Sequence, residues 1–217
     1  MFDLLQLIAR ALVGAIPWTI ALTVLSFFGG AILAIPLCAM RVSHVRLLNT
    51  VALSIILTLR SIPPIVWLFF MFFGIGSGLL HLSPFVSAVL GLALITAGNV
   101  AEIYRGALKA VPAGQFEAAK VLGLSSLRQY SDVLGPQIFR VALPSSATYA
   151  IGLLKDTAVA STIGVPELAS AAYHVSMDTF KGIEVYATAG VMYFFISIFM
   201  AWSTRALDKR LRLRIAR

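Results

Sequence analysis

Residues 84–137 read PFVSAVLGLALITAGNVAEIYRGALKAVPAGQFEAAKVLGLSSLRQYSDVLGPQ, and the change of character inside this stretch decides the fold. Its first part, 84–104, is largely apolar. At ~1.5 Å per residue such a helix matches a hydrocarbon core of ~30 Å. Its second part, 105–137, turns polar and basic, is too long for a simple turn, and is patterned like two short helices. Pro112 can stand at the start of the first, because its missing N–H costs nothing there. Gly123 falls where a left-handed cap would stop that helix, and Ser125 or Ser126 can cap the second, which is expected to end near Gly135 and Pro136.

Working outward, the same apolar texture returns at 17–40, 47–80, 138–154 and 183–202, which with 84–104 makes five expected membrane spans. The 47–80 stretch is long enough for a span plus an interfacial turn. Of the 217 residues 59% are apolar and 12% charged, and mean hydropathy is +0.93. A soluble domain carries roughly 25% charged residues, so much of this surface must face something other than water. The expected fold is all-α: one polytopic helix bundle over 1–217, with a cytoplasmic loop at about 105–137. Residues 1–12 are too short and too weakly basic for a cleaved secretory signal, and 10–40 lacks the short apolar region of one, so the amino terminus is read as retained. Cys38 is the sole cysteine, inside a span, and is read as a small core residue.

Net charge is +8, and the basic residues sit in alternate loops rather than on one stripe. Arg41 and Arg46 follow the first span; Arg105, Lys109, Lys120, Arg128 and Arg140 follow the third; Arg205, Lys209, Arg210, Arg212, Arg214 and Arg217 follow the fifth. Residues 76–83 have no Lys or Arg. Positive charge stays on the cytoplasmic side, which places the amino terminus outside and the carboxyl terminus in the cytoplasm. The basic tail could bind acidic lipid headgroups or a partner, but as a cytoplasmic stop signal it needs no further role, and nothing in the pattern favours nucleic acid.

On the first loop helix Glu117, Ala118 and Ala119 form a low-bulk segment that lets a backbone approach another protein closely, while Phe116 and Leu122 offer apolar contact. Helix propensity explains an Ala-Ala pair equally well. The string EAAKVLG at 117–123, with Pro136 downstream, resembles the EAA loop of ABC importer permeases, whose coupling helix docks onto an ATPase subunit. The family pattern is EAA, three residues, Gly, nine residues, Ile, any residue, Leu-Pro; here Val133 stands for Ile and Gly135 for Leu, which should loosen the second helix end. Residues 59–74 (LRSIPPIVWLFFMFFG), 101–112 (AEIYRGALKAVP), 137–144 (QIFRVALP) and 153–168 (LLKDTAVASTIGVPEL) resemble the polar amino acid branch, the histidine, glutamine, arginine and opine permeases. Methionine importer permeases share the RSIP element.

The resemblance implies a type I importer permease in a bacterial inner membrane, which is not itself an enzyme. It implies as partners a second permease, identical or paralogous, a pair of ATPase subunits that hold ATP and Mg, and an external solute-binding protein. It implies a polar amino acid or similar solute, such as an opine or an ectoine-like osmolyte. This chain shows no GxxxxGK[ST] phosphate loop, since no glycine precedes any of its five lysines; no cofactor or metal is expected on it.

The polar residues of the spans are candidates for two roles. Arg60, ahead of Pro63 and Pro64, is costly at mid-membrane unless paired, and is read as structural at a break near the cytoplasmic face. Glu102 and Arg105, three residues apart, can pair on one helix face or anchor the loop. Lys155, Asp156 and Thr157 offer both signs to a zwitterion, or cap a helix, or meet the binding protein. Asn99, Thr148, Tyr149 and Ser161 are further candidates for lining a solute path, and Asn99 is satisfied equally well by a helix contact. The family commonly has Asn at the place of Thr148 and Glu or another polar residue at that of Tyr149, so this chain departs there. An ion-driven carrier would show internal repeats or mid-membrane acids, neither of which is clear. A membrane enzyme would need a motif such as HExxH, whereas His44, His81 and His174 are scattered in loops.

Overall fold

The computed structural model describes residues 2–215, with side chains described for 6–77 and 80–206. Of the basic tail, Lys209, Arg210, Arg212 and Arg214 have side chains beyond that description, and Arg217 lies outside the described residues. Among the described residues the chain is helical throughout, with no strand. Helix α1 spans Phe2–Arg41 and carries Pro17 and Pro36 inside it, so the amino-terminal segment continues the first span instead of preceding it.

The second apolar stretch is broken, and prolines break it. Helix α2, Arg46–Ser61, ends because Ile62 precedes Pro63 and is held extended, with φ −87° and ψ 130°. Pro63 is extended as well, and Pro64 opens α3, Pro64–Phe69, whose axis continues as a π-helical segment, Phe70–Leu80. The two halves meet at 101°. Helix α4, Pro84–Ala110, starts with the Ser83 hydroxyl accepting the Val86 amide and Pro84 in the first turn, and stops at Val111, extended before Pro112.

The loop helix α5, Ala113–Val121, follows Pro112, and Gly123 then takes φ +68°. The second loop helix does not stop where expected. Helix α6, Ser126–Arg128, passes through a π-helical turn, Gln129–Leu134, into α7, Gly135–Asp156. Pro136 cannot donate a hydrogen bond, and the wider turn ahead of it absorbs the missing donor. Gly135 permits that turn, since a Cβ there would stand 2.5 Å from the Tyr130 carbonyl oxygen. A 3-10 segment, Thr157–Ile163, leads through Gly164 (φ +87°) to α8, Leu168–Thr179, and then α9, Gly182–Ile215.

By length and apolarity three helical stretches can cross a membrane among the described residues, Gln6–Arg41, Pro84–Ala110 and Gly182–Ala206, and the bent pair Arg46–Ser61 with Pro64–Ser77 makes a fourth. The remaining expected span, 138–154, lies inside α7, which is diluted by Arg140, Ser145, Ser146 and Thr148 and packs against both α4 and α9. A helix sheltered by neighbours needs less apolar surface than one bathed in lipid.

Helix α4 is the centre of the bundle and touches α1, α2, α3 and α7. Its closest partner is α1: a Cβ on Gly30 would lie 2.4 Å from Thr96 Cβ and 2.6 Å from the Ala93 carbonyl oxygen. Small residues allow that approach, which in lipid supplies the packing attraction that holds helices together. One core joins Leu22, Leu68, Leu92, Ile95, Leu153 and Ile163; a second joins Ile8 and Leu12 to Leu168, Ala172 and Val185; a third joins Ala34, Cys38, Ile56 and Val100.

Candidate coupling elbow and solute path

The loop helix α5 is short and presents most of its length outward. Ala119 is buried against its own chain, Phe116 is half-buried, and Glu117, Ala118 and Gly123 are exposed. Three apolar side chains around the glycine face outward almost completely: Val121 at 87%, Leu122 at 74% and Leu127 at 80%. Val121 and Leu127 were missed by the sequence reading; the signal was a large apolar side chain inside a polar, basic loop. Gln137 of α7 donates to Gln115 at 3.2 Å, which ties the start of α5 to the following helix.

The polar residues of the expected solute path do not gather at one place. Tyr149 of α7 donates its hydroxyl to Thr96 Oγ1 of α4 at 3.3 Å, and Thr96 in turn donates to the Leu92 carbonyl at 2.7 Å. One turn further along α4, Asn99 accepts from Arg60 Nε at 3.1 Å and donates to the Ile95 carbonyl at 3.0 Å. Arg60, Thr96, Asn99 and Tyr149 therefore form one connected face between α2, α4 and α7. Lys155 and Asp156 are exposed at the end of α7, and Asp156 lies seven positions beyond Tyr149, two helical turns along the same side.

Thr148 points elsewhere. It lines a cleft of about 320 Å³ between α7 and α9 with Thr204 and Arg205, its hydroxyl donating to the Pro144 carbonyl at 3.1 Å. Ser161 lines a cavity of about 770 Å³ with Tyr173, His174 and Tyr186, and donates to the Ala158 carbonyl at 2.7 Å. Thr157 is fully buried and donates to the Leu154 carbonyl at 2.7 Å.

Two charged knots flank this face. Arg105 donates three hydrogen bonds to Glu102, at 2.6, 2.9 and 3.1 Å, as the three-residue spacing allows. At the far side of the bundle the carboxylate of Glu167 is fully buried and caps α8, accepting from the amides of Ala169 (2.9 Å) and Ser170 (2.7 Å) and from the Tyr193 hydroxyl of α9 (2.7 Å). Burial pushes the Glu167 carboxyl above its ordinary range, and the bonds from Tyr193, Ala169 and Ser170 pull it back. Thr19 of α1 accepts the amide just before these, that of Leu168, at 3.0 Å. Glu167 was not singled out from sequence, because its side-chain partner Tyr193 lies 26 positions away on another helix.

Residues 26–213 match the binding-protein-dependent transport system inner membrane component family. The chain is 32% identical over 196 residues to the nopaline transport system permease protein NocM of Agrobacterium fabrum, covering 86% of this chain and 81% of the relative. It is 34% identical over 205 residues to the L-cystine transport system permease protein TcyB of Bacillus subtilis, covering 94% and 88% respectively. To the octopine transport system permease protein OccM of Rhizobium meliloti it is 36% identical over 192 residues, covering 84% and 78%. Among solved structures, an amino acid ABC transporter with histidines superposes at a TM-score of 0.83 with 27% identity, covering 93% of this chain and 94% of that one. The MetNI methionine ABC transporter in an inward-facing conformation also gives 0.83, at 21% identity and covering 94% and 97%, which is a likeness of fold. With nearly the whole chain matched in sequence and in shape, this protein belongs to the inner membrane components of binding-protein-dependent transport systems, the permease subunits of ABC importers.

Proposed function

We propose that this chain forms one half of the translocation path of an importer for a polar amino acid or an opine-like solute, and that its loop at 105–137 receives the stroke of a cytoplasmic ATPase. The solute class rests on relatives named for nopaline, cystine and octopine. In this reading the amino terminus is outside and the carboxyl terminus cytoplasmic. A second permease, identical or paralogous, closes the path, ATPase subunits hold ATP and Mg, and an external protein delivers the solute. Membrane lipid surrounds the bundle. Within the path, Arg60 and Asn99, with Asp156 beyond them, offer a cation, an amide and a carboxylate, the groups a zwitterion needs, while the Thr96 and Tyr149 hydroxyls bond inside the bundle beside them.

The observation that carries the coupling role is the outward triad Val121, Leu122 and Leu127 around a left-handed glycine. Exposed apolar groups rimmed by polar ones are the surface another protein covers. Phe116, Glu117 and Ala118 extend that surface, and Ala119 lets α5 lie close to its own bundle. Docking must be reciprocal: if the ATPase moves this elbow, a loaded binding protein on the other side must alter hydrolysis.

The test is Gly123→Asp in the permease–ATPase complex reconstituted with its binding protein. We expect stimulated hydrolysis to fall to the unstimulated rate, because a side chain and a charge are added where the chain turns at φ +68°. Transport at the normal rate by that variant would falsify the coupling role. The small molecule that co-purifies with the binding protein and raises hydrolysis identifies the solute.

A further inference from the structure

Polar contacts recur at successive turns of α4. Thr96 meets Tyr149 of α7, Asn99 meets Arg60 of α2, and Glu102 meets Arg41 of α1. A step of three residues leaves each position beside the one before it but rotated by about 60°, so the series winds round α4 and meets α7, α2 and α1 in turn. The contact nearest the loop is also the one in which charges of two helices share a single acceptor.

There the last residue of α1, Arg41, donates through Nη1 to Asn49 in the first turn of α2, at 2.6 Å. Its Nε lies 3.6 Å from Glu102 Oε1, beyond hydrogen-bond distance, and is buried with no hydrogen-bond partner. Glu102 is meanwhile held by Arg105 of its own helix. One carboxylate thus stands between two guanidiniums, one engaged and the other within 1 Å of engaging. A closer approach of the α1 end to α4 would give Arg41 a charge-assisted bond to Glu102; withdrawal returns it to Asn49 alone. Charge-assisted bonds shorten to ≈ 2.7–2.9 Å and are roughly twice as strong as neutral ones, so the two arrangements differ in energy. About two turns beyond Glu102 the helix ends at Ala110 and the chain enters the elbow.

We propose that Arg41, Asn49 and Glu102 form a charge latch that joins the ends of α1 and α2 to α4 at the root of the elbow and carries the elbow's displacement into the bundle. The latch rests on the importer reading. Glu102 is a positioning residue: it touches neither solute nor nucleotide, and acts by setting where α4 stands relative to α1. The contact at Asn99 and Arg60, one turn along α4, would pass the same movement toward the solute-facing side.

The experiment is Glu102→Gln, Arg41→Gln and the pair together, in the full complex in lipid nanodiscs. The external binding protein is loaded from an equimolar mixture of the twenty protein amino acids plus octopine. The quantity read is the ratio of stimulated to unstimulated hydrolysis per assembled complex. Both single variants are expected to lower that ratio at least about fivefold, the low end of coupling between distinct sites. The double variant should be no worse than either single, since the second change removes an interaction already lost. Arg46→Gln, an exposed charge at the start of α2, should leave the ratio unchanged. An unchanged ratio in Glu102→Gln and Arg41→Gln overturns the latch. So does a loss that only tracks the amount of ATPase subunit retained, which is what a purely structural ion pair would give. A wild-type complex whose hydrolysis ignores the loaded binding protein overturns the importer reading beneath it, and is told apart because it needs no variant.

Discussion

Helices α4 and α9 are both long and both apolar enough to cross a membrane, yet in their most apolar windows 61% of α4 is buried inside the bundle and 11% of α9. Hydropathy does not separate them; side-chain size does. The buried face of α4 is built from Gly91, Ala93, Ala97, Gly98 and Ala101, while α9 turns Phe194, Phe195, Phe199 and Trp202 outward. Small residues let four neighbours approach α4, and large ones cover α9 where lipid or a partner lies against it. The internal helix carries the polar stripe and the elbow, whereas the outer one packs on α7 and α8 along one side only.

Adding bulk tests that difference most directly. Gly30→Leu places side-chain atoms where Thr96 and the Ala93 carbonyl already stand, and overpacking of this kind costs about 1–3 kcal/mol or more. Gly190→Leu on α9 meets open space. We expect the first to abolish accumulation of folded permease in the membrane and the second to leave it near wild type, as read by thermal unfolding in detergent. Equal effects would mean that α4 is no more tightly packed than α9.

A smaller effect is expected where Tyr193 of α9 meets Glu167. Tyr193→Phe removes the hydroxyl that Glu167 accepts inside the bundle, and a bond to a buried carboxylate is worth about 1.5–3 kcal/mol. The loss should appear as earlier proteolysis of α9 with α4 still protected. Smallest should be Ser83→Ala at the start of α4, where the lost cap costs about 1 kcal/mol. That change should lower the unfolding midpoint by only a few degrees, because the many contacts of α4 hold the helix in place.

The same contrast explains what could be read from the chain alone. Apolar length gave the spans, and local backbone rules gave the elbow: Pro112 fixes the residue before it as extended, and Gly123 supplies the left-handed turn. The Glu102–Arg105 pair was legible because both partners sit on one helix. Arg41 was not, since it reaches Glu102 from a position 61 residues earlier, and no local pattern records such a meeting. Glu167 and Tyr193 escaped notice for the same reason. The continuation past Pro136 was missed because proline reads as a stop, and only the wide turn before it, with Gly135 yielding room to the Tyr130 carbonyl, shows how the helix goes on.

That unbroken run has a mechanical meaning. From Ser126 to Asp156 the helical path is continuous and roughly 45 Å long at ~1.5 Å per residue, and it carries a π-helical turn and Pro144, features at which helices bend. Over a path of that length, a turn of about 10° at the Ser126 end carries the Asp156 end through roughly 8 Å if the intervening bends stay fixed.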